Sequence, residues 1–271
     1  GRFDEGPYAR LVADYFATEH TELNAEPASA SILPQLAVYY DEPIADHSIV
    51  PTSIVCNLVS KSVKVALTGD GGDELFAGYL HYNWLLKLNK YQNKIPNLAK
   101  CLVSKFAANF FPVGSKGRNY FIGLRWKEKG GIVAINQYFD YKTRARILSR
   151  QCVESLSDIM EPEMWKASFY AKHLSLLQNI SNTDFYTTLS DGYLVKSDRA
   201  SMMHSLELRA PFLDHNLIEF SFQKVPDTLK ANGSERKVLL KRLGRRVLPP
   251  QFDINRKQGF SLPLNSWFKD G

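Results

Sequence analysis

The sequence predicts an α/β protein with a parallel sheet, incomplete within this chain, followed by a large helical C-terminal portion. Three observations lead there. Val63-Lys64-Val65-Ala66-Leu67 is the strongest strand candidate, and it runs directly into a glycine-rich acidic loop, Thr68-Gly69-Asp70-Gly71-Gly72-Asp73-Glu74. Before that loop, helical and extended patterns alternate, as they do when crossover helices join parallel strands. After Leu75 no convincing strand pattern returns. Two strands are too few for a parallel sheet covered on both faces, so further strands are expected upstream of Gly1.

Taken in order, Phe3-Asp4-Glu5-Gly6-Pro7 reads as a helix start with Asp4 as N-cap. Tyr8, Leu11, Val12, Tyr15 and Phe16 then recur at helical spacing. A short strand is expected from His20 to Leu23, a helix from Ile32 to Tyr40, and another from Pro51 to Ser60. Residues 80–175 read as lysine- and aromatic-rich helices broken at Pro96, Pro112 and Gly130-Gly131. A longer helix is expected from Thr183 to Ser205, with Phe185, Leu189 and Tyr193 on one face. Pro211-Phe212-Leu213-Asp214 then begins a new helix, and Pro249-Pro250 closes the last long one.

Composition narrows the class. The 271 residues are 44% hydrophobic and 23% charged, an ordinary balance for a globular protein. No stretch approaches the ~18–20 apolar residues of a membrane helix, and no signal peptide is evident. Cys56, Cys101 and Cys152 are odd in number and widely spaced, which fits buried thiols in a reducing cytoplasm. The net charge of +6 invites a nucleic-acid reading, but the basic residues are scattered, with no arginine-rich block or aromatic RNA-binding motif. A basic enzyme acting on a polyphosphate has the same balance.

The loop after the strand is the strongest chemical signal. Ligands of open α/β sheets gather beyond the carboxyl ends of the strands. Glycines there let backbone N–H groups approach a ligand, while Asp70, Asp73 and Glu74 offer hard oxygen donors suited to Mg²⁺. The loop is neither a GxGxxG fingerprint, since Glu74 fills the third glycine position, nor a GK[ST] phosphate loop. From spacing alone, a plain acidic turn joining strand to helix explains it equally well.

Two further groups stand out. Lys257 lies in a glycine-containing loop; alone it reads as a solvated charge, and functionally as a mobile cation closing over phosphates. Lys196-Ser197-Asp198-Arg199, followed by Glu207, Arg209 and Asp214, is ionic amid Met202, Met203, Leu206 and Leu208. Asp191 and Asp198 are read on one helix face, and an internal salt-bridge network is the structural explanation for the whole group. No HExxH, GxSxG or catalytic cysteine pattern is present.

The residues also carry a family resemblance. Tyr40-Asp41-Glu42-Pro43-Ile44-Ala45-Asp46-His47-Ser48 and Val65 to Tyr79 resemble the synthetase domain of glutamine-hydrolysing asparagine synthetases. Leu194 to Met202, Leu206 to His215, and Lys257-Gln258-Gly259-Phe260-Ser261-Leu262-Pro263 resemble the same family in the same order. So does Phe3 to Arg10.

That resemblance implies a Rossmann-like fold of the ATP-pyrophosphatase kind. Residues 1–80 are then a partial nucleotide-binding core and 81–271 the helical portion of one synthetase domain. It implies ATP and Mg²⁺ as cofactors, and aspartate and ammonia from glutamine as substrates, with a β-aspartyl-AMP intermediate. Asp73 would hold Mg²⁺; Thr68, Gly69, Asp70 and Gly71 would line the nucleotide site. Asp70 would help form or consume the adenylate, Lys257 would stabilise the transferring phosphorus, and Asp46 and Ser48 would belong to the aspartate pocket. The family's Ser-Gly-Gly-x-Asp-Ser loop and glutaminase domain are absent from this sequence, and Asn255-Arg256 replaces a commoner Arg-Pro. The chain alone is therefore expected to be inactive, to be cytoplasmic, and to use neither nucleic acid nor membrane; a homodimer is left open. A sibling amide-forming ligase acting on another carboxylate and a non-catalytic scaffold are the alternatives.

Overall fold

The computed structural model describes residues 4–25, 30–44, 46–92, 94–134, 137, 139–156 and 161–256. They fall into two compact units. One is drawn from Gly1–Gly72, Leu189–Phe220 and Val238–Gly271, the other from Asp73–Thr188 and Ser221–Lys237.

In the first unit, Pro7 sits in the opening turn of a helix over Gly6–Phe16, where its missing N–H costs nothing. Glu5, not Asp4, occupies the N-cap; the Asp4 carboxylate accepts the Gly6 N–H at 2.9 Å. The expected strand at His20–Leu23 does not form. These residues are exposed irregular chain, and Glu22 pairs with Arg10 instead. Helices Leu33–Tyr40, Ile49–Ser60 and Val195–Met202 bury Leu36, Tyr40, Val50, Cys56 and Ala200 against one another and Leu206. Burying each large apolar side chain of this set contributes about 1.5–3 kcal/mol.

Strand β1, Val65–Leu67, pairs in parallel with β2, Glu207–Arg209, in the register Val65↔Glu207, Ala66↔Leu208 and Leu67↔Arg209. The second strand corrects the expectation that no strand follows Leu75. Three residues are too short to show period-2 alternation, and the ionic Glu207 and Arg209 concealed it. Those two side chains pair at 2.8 Å on the exposed face, while Ala66 and Leu208 pack on the core. Among the described residues the outer face is open: Leu67 is 73% exposed. Among the described residues the sheet has two strands and one covered face.

The second unit is helical. Helices Leu80–Gln92, Asn97–Phe110 and Arg118–Gly123 are separated at Pro96 and Pro112 as the sequence predicts. Gly130-Gly131 does not break the chain but begins a helix over Gly130–Ala134. A Cβ on Gly131 would lie 2.0 Å from a Leu85 methyl, so the glycine serves close helix packing. Tyr82, Leu85, Ile132, Leu177 and Ile180 form the core. A capping box, Ser175 with Gln178, starts the helix Leu176–Asp184.

The expected helix from Thr183 to Ser205 is composite: α over Leu176–Asp184, π over Phe185–Leu194, α over Val195–Met202. The wider π turn changes the side-chain spacing. Leu189 alone of the expected apolar face is fully buried, and Asp191 and Asp198 are both exposed. No described helix is long and apolar enough to cross a membrane.

Candidate active site

The loop at the carboxyl end of β1 is built by its glycines. Thr68 donates its N–H to the Arg209 carbonyl at 2.8 Å, extending the parallel pairing, and its hydroxyl donates to Asp70 Oδ2 at 3.0 Å. The chain then turns, with Gly72 N–H donating to the Gly69 carbonyl at 3.3 Å. Gly71 takes φ +86°, and a Cβ there would lie 2.3 Å from a Leu213 methyl. The turn Pro211-Phe212-Leu213 thus packs directly on Gly71 and Gly72, whereas a Cβ on Gly69 would meet nothing within 4 Å. The loop is pinned from one side and open at Gly69. Asp214 follows the turn and caps the helix His215–Lys224, accepting the Asn216 N–H at 3.0 Å.

The acidic residues of the loop do not act as one cluster. Among the described residues, no three His, Cys, Asp or Glu side chains gather to hold a metal. Asp73 and Glu74 lie side by side on the short helix Gly72–Leu75 and face opposite environments. Asp73 is half-buried, and Lys237 Nζ lies 2.7 Å from its Oδ1. Glu74 is 1% exposed and accepts the Tyr79 hydroxyl at 2.5 Å. Burial raises its carboxyl above the usual range, the Asp73 and Asp184 charges add to the rise, and the Tyr79 hydrogen bond opposes it. Glu74 is therefore a core side chain and not the third oxygen donor that its position in the motif suggested.

Lys237 is the residue that sequence reasoning missed. A lysine between a turn and a helix carries no local signal; only the fold brings it to Asp73.

In the first unit, Asp46, Ser48 and Lys196 form a compact polar group. Asp46 Oδ1 accepts the Ser48 N–H at 2.9 Å and the Ser48 hydroxyl at 2.7 Å. Lys196 Nζ donates to Ser48 Oγ at 2.9 Å, lies 3.3 Å from Asp46 Oδ2, and sits 5.0 Å from the centre of the Tyr193 ring. Tyr40 fixes the helix beneath by donating its hydroxyl to the Lys196 carbonyl at 2.9 Å. Burial alone would raise the Asp46 carboxyl. The Ser48 hydrogen bonds and the Lys196 charge outweigh it and hold the group ionised below the usual range. Arg199 pairs with Glu42 at 3.2 Å. The ionic run of the helix Val195–Met202 is thus paired with the segment around Glu42 and Asp46, while Glu207 and Arg209 pair separately on β2.

Lys257 lies outside the described residues. The segment leading to it is anchored: the Arg256 guanidinium stacks 4.1 Å over Tyr8 and donates to the Asp4 carbonyl, and Asn255 accepts from Lys241.

Comparison with known proteins gives the family of the chain. The family described as asparagine synthase matches residues 1–271. The chain is 29% identical over 245 residues to the glutamine-hydrolyzing asparagine synthetase 1 of Bacillus subtilis strain 168, covering 88% of this chain and 37% of that protein. It is 23% identical over 261 residues to asparagine synthetase 3 of the same strain, covering 95% of this chain and 36% of the relative. An 82-residue stretch is 34% identical to the mouse glutamine-hydrolyzing asparagine synthetase, covering 28% of this chain and 15% of that protein. No solved structure matches. The chain spans a little over a third of the bacterial relatives' length. With the family matched from first residue to last, this chain belongs to the asparagine synthase family.

Proposed function

We propose that the chain is the synthetase portion of a glutamine-dependent asparagine synthetase, with a Rossmann-like core completed by residues outside it. On this reading the glutaminase domain and the serine-glycine phosphate loop belong to the length of the relatives that the chain does not span. The observation that carries the proposal is the pinned glycine loop at the end of β1, with an open Gly69 backbone and half-buried carboxylates at Asp70 and Asp73.

The chemistry is nucleotidyl transfer followed by amide formation. The side-chain carboxylate of aspartate attacks the α-phosphorus of ATP, forming a P–O bond as pyrophosphate leaves. Ammonia then attacks the activated carbonyl, forms the C–N bond and expels AMP. Positioning and charge neutralisation dominate such transfers.

Thr68, Gly69, Asp70 and Gly71 line the nucleotide, with the Thr68 hydroxyl holding the Asp70 carboxylate in place. Asp73 suits Mg²⁺, because its half-buried carboxylate already faces a cation at 2.7 Å, whereas that of its neighbour Glu74 is 1% exposed and turned into the core. When bound, Mg²⁺ supplies charge neutralisation to the departing pyrophosphate. Lys196 and Asp46 offer a fixed cation and anion, 3.3 Å apart, complementary to the carboxylate and ammonium groups of an amino acid. Lys257 serves as the closing cation of the final loop.

The test is aspartate-dependent ATP–pyrophosphate exchange, measured on the chain carried with its upstream residues, beside Asp73→Ala. Exchange that requires aspartate and disappears in the variant is expected. Exchange driven by a different acid would move the assignment to a sibling ligase. Absence of exchange with every acid, from folded protein, would favour a non-catalytic role.

A further inference from the structure

Asp73 and Lys237 are a built pair. Gly78 N–H donates to the Asp73 carbonyl at 2.8 Å, closing the turn after the helix Gly72–Leu75. A Cβ on Gly78 would lie 1.7 Å from Asp73 Oδ1 and 2.3 Å from Lys237 Cε, so carboxylate and ammonium stem rest directly on a backbone kept bare for them. The lysine is delivered from the other side with equal care. Asn232 Oδ1 accepts the Ser234 N–H at 3.0 Å, the Ser234 hydroxyl at 2.7 Å and the Glu235 N–H at 2.8 Å, shaping a tight turn. Ala231 bridges Arg236, whose guanidinium donates to the Gly78 carbonyl. Lys237 itself takes φ +53°, a left-handed backbone that a residue with a Cβ adopts only at a steric cost. Such strain is not needed for an incidental surface ion pair, which contributes little to stability.

We propose that Lys237 is a resident counter-cation: its ammonium holds the carboxylate of Asp73 while the site lacks a divalent metal, and it must withdraw before the metal binds. This rests on reading Asp73 as the metal ligand. The lysine keeps the half-buried carboxylate aimed, and sets a threshold that a dilute cation alone does not cross. A divalent ion and an ammonium cannot share one carboxylate oxygen at contact distance without strong mutual repulsion.

The experiment is Mn²⁺ binding to the whole chain, read by electron paramagnetic resonance of the free ion, for the wild type, Lys237→Met, Lys237→Arg and Asp73→Asn. Circular dichroism melts confirm that each variant is folded. Lys237→Met is expected to bind Mn²⁺ at least about tenfold more tightly than the wild type, because the competing charge is gone. Lys237→Arg is expected to stay near the wild type, since it restores the charge. If Asp73→Asn abolishes binding while Lys237→Met leaves it unchanged or weaker, the counter-cation role is overturned and the metal ligand stands. If Asp73→Asn binds Mn²⁺ like the wild type, or neither the wild type nor Lys237→Met binds it, both the metal assignment and this inference fall.

Discussion

Lys230 offers the sharpest test of the energetics. Lys230 is 1% exposed, and its ammonium has no hydrogen-bond partner among the described residues; the Phe222 ring centre lies 5.0 Å away. Burial disfavours the charged form and lowers the group from its ordinary 10.5 to about 8, although the Asp227 carboxylate pulls the other way. At about 1.4 kcal/mol per pH unit, that drop corresponds to a cost of about 3 kcal/mol for keeping the lysine protonated in the folded state. The sign follows from proton linkage. Below about pH 8 both folded and unfolded chains carry the proton, so the cost is fully present. Between about 8 and 10.5 the unfolded chain holds a proton that the folded chain has lost, and stability from this group rises with pH. Lys230→Met keeps the volume and removes the charge, so urea unfolding at pH 7 should show the variant more stable by about 3 kcal/mol. The gap should shrink at pH 10. A variant less stable than the wild type at pH 7, or a gap indifferent to pH, would refute the argument.

Other perturbations follow the same logic. Asp140 and Arg118 form a buried pair at 2.6 Å, and Asp140 also caps the helix Tyr141–Ile147 through the Thr143 N–H. Asp140→Ala strands the arginine and should cost about 3–5 kcal/mol in urea unfolding. Burial would raise the Asp140 carboxyl, but the Thr143 hydrogen bonds and Arg118 hold it below the usual range. Its contribution is thus present above the unfolded value near ~4 and fades as pH falls through the lower folded value, a slope the variant should lack. Gly71→Ala should lower the melting temperature through its φ of +86° and the Leu213 contact, while Gly69→Ala, facing open space, should stay within about 0.5 kcal/mol of the parent. If the chain self-associates through this face, Leu67→Lys should weaken the concentration dependence seen in sedimentation velocity, because Leu67 is 73% exposed on a sheet face uncovered among the described residues.

Much of the first half of the fold was legible because its signals are local. The helices at Leu33–Tyr40 and Ile49–Ser60, strand β1 and its glycine loop all announce themselves within a window of ten residues. Strand β2 did not, because a three-residue strand exists only through its partner: Glu207 N–H donates to the Lys64 carbonyl at 2.9 Å and Thr68 N–H to that of Arg209. His20–Leu23 failed for the converse reason, having extended propensity but no strand to pair with among the described residues. The π-helical stretch escaped because hydrophobic spacing assumes 3.6 residues per turn. In the candidate site, Thr68, Asp70 and Asp73 could be read from their motif, but Lys237 could not, since the bond between it and Asp73 is purely a product of tertiary structure.

The contrast between Asp73 and Glu74 shows why a motif underdetermines a site. Consecutive residues on a helix point about 100° apart, so a helix whose one side is buried must separate two neighbouring acids. Asp73, with the shorter side chain, falls on the side where Gly78 is bare and Lys237 arrives, and it pairs with that cation. Glu74 falls inward, where Tyr79 supplies one short hydrogen bond and Asp184 contributes a like charge. There burial and the neighbouring like charges raise its carboxyl above the usual range. The inward glutamate carries part of the packing that holds the outward aspartate in place. Exchanging the two residues would put a longer acid against Gly78 and a shorter one out of reach of Tyr79, so their order along the chain is fixed by the two environments as firmly as by the chemistry of either carboxylate.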